Sequence, residues 1–442
     1  MERTYIGDLS GKVGEEVLIQ GWVSVRRDQG KMVFFDFRDM SGTVQGVVLP
    51  GSPAIEIAKE VKNEFVVSIQ GKVNGRPEKN IQADKQNGSI ELEILQIEIV
   101  SLAQELPFEL GTEVNLDTHL DYLPYTLRTK ESKAIFTLQA TLIEGFREGL
   151  RKQRFTEFQA PALVGADAEG GAASFKVDYY YDQKAYLATS PQLYKQIMVG
   201  AFERAFTTPK IFRGEKHATS RHLSEYSSLD FEMGFIKDHQ DIMRTLENTI
   251  RHIVSLIAER HPDVYAQFKT TAPLLPEHIP VLKLREAQEI IEKEFGGKAV
   301  GEPDLEPEHE RQLCEWSAKT HNSDFLFVTH YPVSKRPFYT YEDENDLGFT
   351  KSFDLLFRGL EITTGGQRIH RYETLIEKAK AKGLDPELFS YYLQAFKYGM
   401  PPHGGSATGL ERLTARLLNL ANVKEAALFP RDINRIDKRL SE

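Results

Sequence analysis

The segment FRGE, Phe212 to Glu215, sets a guanidinium and a carboxylate two residues apart at the end of a strand-like run, so both face the same way. Arg213 is a planar, bidentate cation, suited to an α-phosphate whose charge grows while it is attacked. Arg412 follows the glycine-rich run HGGSATG in a predicted helix, where an arginine can lie across an adenine or reach a γ-phosphate. Asp354 and Glu361 carry hard oxygens of the kind magnesium prefers. Seven residues apart in FDLLFRGLEI, they would face opposite ways on a regular strand, so a bulge or turn near Gly359 is needed to bring both to one ion. Phosphate chemistry is therefore the first expectation. The nucleotide would be held mainly by side chains, because the sequence has neither GxxxxGK followed by Ser or Thr nor GxGxxG after a strand. Taken singly, FRGE reads better as a surface ion pair, and the glycines as a helix cap and a packing contact.

Those residues need a scaffold. Alternating apolar positions predict strands at Val17 to Val25, Met32 to Phe37, Thr43 to Val48, Phe65 to Val73 and Ser89 to Ile94, with a helix at Pro53 to Lys62. That order matches an OB-fold, a small barrel that commonly binds single-stranded nucleic acid. Arg26, Arg27 and Lys31 with Phe34 and Phe35 supply cations and aromatics for such binding, and alternation places one of the two phenylalanines in the core. Leu106 to Thr129 is aperiodic and carries Pro107 and Pro124, which reads as a hinge. The expected domains are thus 1–105, a hinge at 106–130, and 131–442. In the last, Ile135, Leu138, Leu142, Phe146 and Leu150 form a helical stripe. Strands are expected at Phe155 to Pro161, Ile211 to Arg213, Ser228 to Ile236, Phe325 to Thr329, Pro337 to Tyr341 and Ser352 to Ile362. Their uneven spacing favours an α+β fold on an antiparallel sheet flanked by helices over a doubly wound one.

At 442 residues the chain suits two domains. Cys314 is the only cysteine, which excludes an internal disulfide and a thiolate zinc cluster. No apolar run approaches the ~18 residues of a membrane span, and no apolar stretch follows Met1-Glu2-Arg3 as in a signal peptide. No membrane contact and a cytoplasmic location are expected. The net charge of -10 decides little about nucleic acid, since a local basic surface suffices.

Three segments, RFTEFQAPAL (Arg154 to Leu163), IFRGEKHATSRHLSEYSSLDFEM (Ile211 to Met233) and PPHGGSATGLERL (Pro401 to Leu413), resemble the three motifs of class II aminoacyl-tRNA synthetases. With the preceding barrel, the chain resembles over nearly its whole length the aspartate, asparagine and lysine subgroup, and within it the compact archaeal and eukaryotic members that charge aspartate. The resemblance implies that Arg213 contacts the α-phosphate of ATP and Glu215 accepts from the adenine amino group. Arg221 and His222 would meet the outer phosphates, and Tyr226 and Arg412 would sandwich the base. Asp354 and Glu361, with the hydroxyl of Thr364, would hold Mg2+. Ala407 stands where many relatives have glycine.

For the amino acid, a carboxylate side chain requires fixed cations, so the pocket should hold unpaired Lys or Arg. Lys195 in SPQLYK and Arg368 in GGQRIH match the residues that grip aspartate in the family, and relatives that charge asparagine lack the lysine. Ser190, Gln192, Asp230 and Thr364 complete the aspartate site by the same resemblance, and Glu169 in DAEGGAAS closes over the ammonium group; a plain surface loop would explain those glycines equally well. For tRNA, the resemblance puts Phe34 against an anticodon base and Arg27, Gln45 and Glu91 on base edges. The site of Ser24 often carries tryptophan in strict relatives. Charging of tRNA(Asn) besides tRNA(Asp) is therefore favoured, with an amidotransferase converting the mischarged product. A homodimer is expected through Ala134 to Pro161, although that stripe could equally face the core. The rival readings are an asparaginyl enzyme of the same fold, and a tRNA-independent ligase of the asparagine synthetase kind.

Overall fold

The computed structural model describes residues 1–165, 173–216 and 219–440, and its chain divides into two compact units, Met1–Thr112 and Glu113–Glu442. In the first unit, β1 (Glu16–Gln29), β2 (Met32–Arg38), β3 (Thr43–Val48), β4 (Val66–Gly75) and β5 (Ile90–Ser101) close a barrel in the order β1-β2-β3-β5-β4. A short helix, α1 (Ile55–Glu60), joins β3 to β4. Closure follows from the alternation: Val17, Ile19, Val33, Phe35, Phe37, Val67 and Ile69 all point inward and are buried. Phe35 and Phe37 stack at 5.5 Å between centroids, which leaves Phe34 on the outer face. A register shift in β1 between Val23 and Val25 places Ser24 at a bulge, where Arg38 Nη1 donates to its hydroxyl at 3.0 Å. Arg38 is itself fixed by two bonds of 2.7 Å to Glu64.

In the second unit, the stretch expected as a hinge contains two short helices, Leu116–Asp121 and Leu123–Thr126. Helix α2 (Lys130–Lys152) begins where Thr129 caps the Ser132 amide. Its stripe Ile135, Leu138, Leu142, Phe146 and Leu150 is buried in the unit's own core, together with Ile250, Ile253 and Ile257 of α4 (His239–Arg260). The stripe is therefore not an open surface for a second subunit, and a dimer contact in this segment has to use its other face.

A nine-stranded sheet carries the site. Its strands are β6 (Thr156–Glu157), β7 (Arg204–Thr207), β8 (Lys210–Phe212), β9 (Glu225–Gly234), β10 (Val281–Lys283), β11 (Phe325–Thr329), β12 (Ser352–Phe357), β13 (Leu360–Arg368) and β14 (His403–Gly409). They run in the order β10-β11-β12-β13-β14-β9-β7-β6, with β8 paired to the start of β9. All pairings are antiparallel except the two edges, β10 with β11 and β7 with β6. Three helices complete what the site needs: α3 (Gln192–Phe202), α5 (Pro307–His321) and α6 (Leu410–Leu417).

Several sequence expectations need correction. The strand expected over Ser352 to Ile362 is a hairpin, turned by Arg358 and Gly359 with φ of 46° and 81°. Two positive φ values suit a two-residue hairpin whose turn matches strand twist, and glycine takes the second without strain. Phe155 to Pro161 contributes only Thr156–Glu157 to the sheet, and Pro337 to Tyr341 makes a single bridge, Thr340 to Arg368. The glycines of HGGSATG lie in the strand β14, whose last residue, Gly409, is also the N-cap of α6, while Gly404 and Gly405 are the close packing contacts.

Candidate active site

Where β9, β13 and β14 lie side by side, the β8–β9 connection and the first turn of α6 border a cleft of about 470 Å³. Arg213, Glu215, Arg221, His222 and Tyr226 line it from one side, Glu361 and Thr364 from β13, and Arg412 from α6. Residues separated by some 200 positions in sequence thus meet in one place. Arg213 lies with its guanidinium carbon 6.0 Å from the Tyr226 ring centre. Arg412 Nη1 donates to the Glu361 carbonyl at 3.0 Å, which aims the arginine across the cleft, and Thr364 Oγ1 donates to Glu361 Oε1 at 2.9 Å. Ala407 also lines this space, so the backbone approaches with a methyl group there.

The hairpin turn settles the acidic pair. With the turn at Arg358-Gly359 and a register shift between Leu355 and Leu356, Asp354 comes opposite Thr364 while Glu361 lies three residues before it on β13. Thr364 thus stands with the acidic pair, as its expected part in holding Mg2+ requires. Asp354 is buried and paired with Arg336 Nη2 at 2.8 Å. Burial pushes its carboxyl up to about 6 against the pull of Arg336, and neighbouring Glu361 adds to the rise. Glu361 is also raised by burial, but Arg412, Thr364 and the arginines 336 and 221 outweigh this and hold it below the usual range. No group of three or more His, Cys, Asp or Glu able to hold a metal occurs among the described residues. Two carboxylates and a hydroxyl suit magnesium, which commonly takes one or two protein carboxylates and completes its shell with water and phosphate.

Deeper in the sheet, four charges form a closed set. Lys195 Nζ is 2.8 Å from Asp230 and 3.5 Å from Glu232, and it donates to the Ser406 carbonyl at 3.3 Å. Arg368 donates to Glu232 at 3.0 Å, to Gln192 Oε1 at 3.3 Å and to the Gly405 carbonyl at 3.1 Å. Ser228 donates to Asp230 from the cleft side. A Cβ on Gly405 would come within 2.3 Å of a Glu232 oxygen, so only glycine admits this packing. The expectation of unpaired cations is therefore wrong: both are paired. The reason is desolvation, since Lys195, Asp230 and Glu232 are all 0% exposed and a lone charge there would cost several kcal/mol. Burial raises Glu232, but Arg368, Lys195 and His403 keep it ionised, below the usual range. Ser190 joins this set through Gln192, whose backbone N–H donates to the Ser190 hydroxyl at 3.2 Å, and lines a cavity of about 330 Å³ with Tyr194, Tyr391 and Tyr392. Glu169 lies outside the described residues.

On the barrel, Gln45 and Glu91 line a groove of about 440 Å³ together with Arg76 and Pro77. Arg76 donates to Gln45 at 2.5 Å and pairs with Glu91 at 3.5 Å. Burial lifts Glu91 above the ordinary carboxyl value, and Arg76 opposes this. Gln45 lies opposite Asp36 in the β2–β3 register, and Asp36 accepts from Arg27 at 2.9 Å. Arg27 lies opposite Phe34. The four residues expected to meet a nucleic acid thus lie along one polar track with an aromatic face beside it, as unpaired bases require.

One chain thus holds a nine-stranded sheet, with a cleft lined by arginines and carboxylates, and a closed five-stranded barrel. Residues 115–433 match the family described as tRNA synthetases class II (D, K and N), and residues 17–100 match the OB-fold nucleic acid binding domain. The chain belongs to the class II tRNA synthetases. It is 47% identical, over 98% of its length and 99% of the relative, to the aspartate–tRNA(Asp/Asn) ligase of Thermus thermophilus, and 44% identical, over 99% of each, to that of Deinococcus radiodurans. Among solved structures it resembles asparaginyl-tRNA synthetase from Pyrococcus horikoshii complexed with asparaginyl-adenylate, with a TM-score of 0.90 and 32% identity over 99% of both chains. Aspartyl-tRNA synthetase from Entamoeba histolytica follows at 0.87 and 29%, covering 99% of this chain and 93% of that one.

As a class II synthetase the chain uses ATP as a substrate and binds tRNA through its barrel. Three charged residues of its site escaped the sequence reading. Glu232 follows Asp230 by two on β9 and so shares its face; the alternation of acids with Leu229, Phe231 and Met233 was the available signal. Arg336 lies in an irregular connection, and Glu310 on α5 contacts Arg221 at 2.5 Å. Neither belongs to a periodic pattern that points into a site.

Proposed function

We propose that this synthetase activates L-aspartate as aspartyl-adenylate and transfers it to the 3′ end of tRNA(Asp), and also of tRNA(Asn). The observation that carries the amino-acid choice is Lys195, buried beside Arg368 and facing two acids. An arriving aspartate brings a carboxylate for the cations and an ammonium for the acids, so the desolvated pocket stays balanced. Asparagine brings the same ammonium and α-carboxylate but an uncharged side chain, and so leaves the cations with an amide that cannot replace a carboxylate.

In the first step the α-carboxylate attacks the α-phosphorus in line, and pyrophosphate leaves. Arg213 binds the α-phosphate as its charge develops, and Arg221 and His222 take the outer phosphates. Glu215 accepts from the adenine amino group, with Tyr226 and Arg412 on either side of the base. Asp354, Glu361 and Thr364 would hold Mg2+, which supplies charge neutralisation for the polyphosphate. Gln192, Asp230 and Arg368 orient the aspartate, Ser190 borders it, and Glu169 closes over its ammonium group. In the second step the terminal ribose hydroxyl of the tRNA attacks the adenylate carbonyl. No protein nucleophile is needed, because alignment and charge stabilisation perform both steps.

On the tRNA, Phe34 stacks on an anticodon base while Arg27, Gln45 and Glu91 read base edges. Relaxed choice between the two tRNAs is favoured by Ser24, a small side chain tied back to Arg38. An amidotransferase would then convert aspartyl-tRNA(Asn). The enzyme is proposed to work in the cytoplasm as a homodimer, through surfaces of the 134–161 segment other than its buried stripe. Charging of purified transcripts of both tRNAs tests the proposal: aspartate is expected on each, and failure with tRNA(Asn) removes the relaxed reading.

A further inference from the structure

Helix α5 starts at Pro307 with Glu306 and His309 capping its first turn, and ends at Asn322 in a left-handed conformation. This fixed start places Glu310 against the cleft from a part of the chain that none of the three motif segments includes. Glu310 is only 6% exposed. One of its oxygens, Oε2, accepts from Arg221 Nη2 at 2.5 Å and from the Glu361 backbone N–H at 2.7 Å. The two donors come from different elements lining the cleft, Arg221 from the β8–β9 connection and Glu361 from β13. A buried carboxylate persists only with such partners, because its desolvation would otherwise exceed what folding can absorb.

We infer that Glu310 is a positioning residue for the ATP-dependent step, fixing the spacing between the Arg221 guanidinium and Glu361 before ATP arrives. This rests on the reading of Arg221 as an outer-phosphate contact and Glu361 as a magnesium ligand. A single oxygen shared by both elements makes the spacing of phosphate cation and metal carboxylate one geometric quantity instead of two. Replacing the carboxylate with an amide preserves the shape but weakens the hold on the guanidinium.

The test is aspartate-dependent ATP–pyrophosphate exchange on the full chain, comparing the parent with E310Q, E310D, R221A and the R221A/E310Q pair. ATP, aspartate and Mg2+ are titrated separately. E310Q is expected to raise the KM for ATP and the Mg2+ requirement by about 10–100-fold, the range found when a residue supporting a metal or phosphate ligand is altered. The KM for aspartate should move by less than about twofold, E310D should recover part of the loss, and E310Q should add less than about twofold to R221A. Parent-like exchange by R221A would instead overturn the phosphate reading itself, and this inference with it. With R221A impaired, a parent-like E310Q, a loss shared equally by ATP and aspartate, or effects that simply multiply in the pair would overturn the positioning role alone. Should E310Q not fold, the same coupling measured between R221A and E310D decides.

Discussion

The cleft proposed for ATP and the pocket proposed for the amino acid are built on the same three strands, β9, β13 and β14, yet the charges at their centres are exposed to different degrees. In the cleft, the side chains of Arg412 and Glu361 remain 28% and 34% exposed, and their 3.7 Å pairing is loose. In the pocket, Lys195, Asp230 and Glu232 are 0% exposed and locked within 2.8 to 3.5 Å of one another. Half-solvated groups can turn toward a polyanion with little loss, because water screens both arrangements. Desolvated groups cannot, so every charge must be countered before and after binding. On the proposed reading the difference divides the labour: the cleft would take the nucleotide by donors and shape, while the pocket would select its amino acid by charge balance.

The largest effect that separates the two regions is expected at Lys195. Lys195→Met leaves Asp230 without its buried cation and Glu232 with Arg368 alone, and should cost about 3–5 kcal/mol of stability, the usual result of removing one partner from a buried set. Urea unfolding measures it, and an unchanged midpoint would mean that the four charges are not coupled. Arg213→Ala in the cleft should leave unfolding almost unchanged but lower aspartate-dependent exchange by roughly 10²–10³-fold. Near-normal exchange would remove Arg213 from the α-phosphate.

A smaller effect tests the barrel against the catalytic unit. Phe34→Ala should weaken tRNA charging by about 1–3 kcal/mol in kcat/KM, the worth of one base stacked on an aromatic face, with exchange untouched. Parent-like charging would show that the outer face of β2 does not meet the anticodon.

The sequence made the cleft more legible than the pocket, and the charge difference explains why. Arg213, Glu215 and Arg412 sit at strand and helix ends beside glycines, where irregular composition marks them. Barrel strands were readable because each has one wet and one dry face, so Val17, Ile19, Phe35 and Phe37 alternate cleanly with polar neighbours. Glu232 was hidden because an acid within LDFEM reads as a solvent-facing position until Lys195 of α3 and Arg368 are seen to pack against it. The same burial disguised the state of Lys195 and Arg368, whose partners come from β9 at 35 and 136 residues' distance. Near Gly359 the need for a turn was readable; that it closes a hairpin depended on the pairing of β12 with β13.

A last expected effect concerns acid. Burial lowers His403, beside the pocket, to about 4 although Glu232 opposes this, and burial with neighbouring His330 lowers His239 to about 4. His403 is held neutral by a bond of 2.8 Å from Gln196. With folded values below the free value of 6.5, the unfolded chain binds more protons than the folded one between pH 6.5 and 4. Stability is thus complete above pH 6.5 and falls as pH drops toward 4, by at most about 1.4 kcal/mol per pH unit for each histidine. Urea midpoints across this window, compared between the parent and H403Q, measure the contribution beside the pocket. A flat profile in the parent would contradict neutral burial.

The central claim, that charge balance around Lys195 selects the amino acid, is tested most directly by ATP–pyrophosphate exchange without tRNA, run with aspartate and with asparagine. Exchange supported by aspartate and not by asparagine is the predicted result. Exchange supported equally well, or better, by asparagine would contradict it.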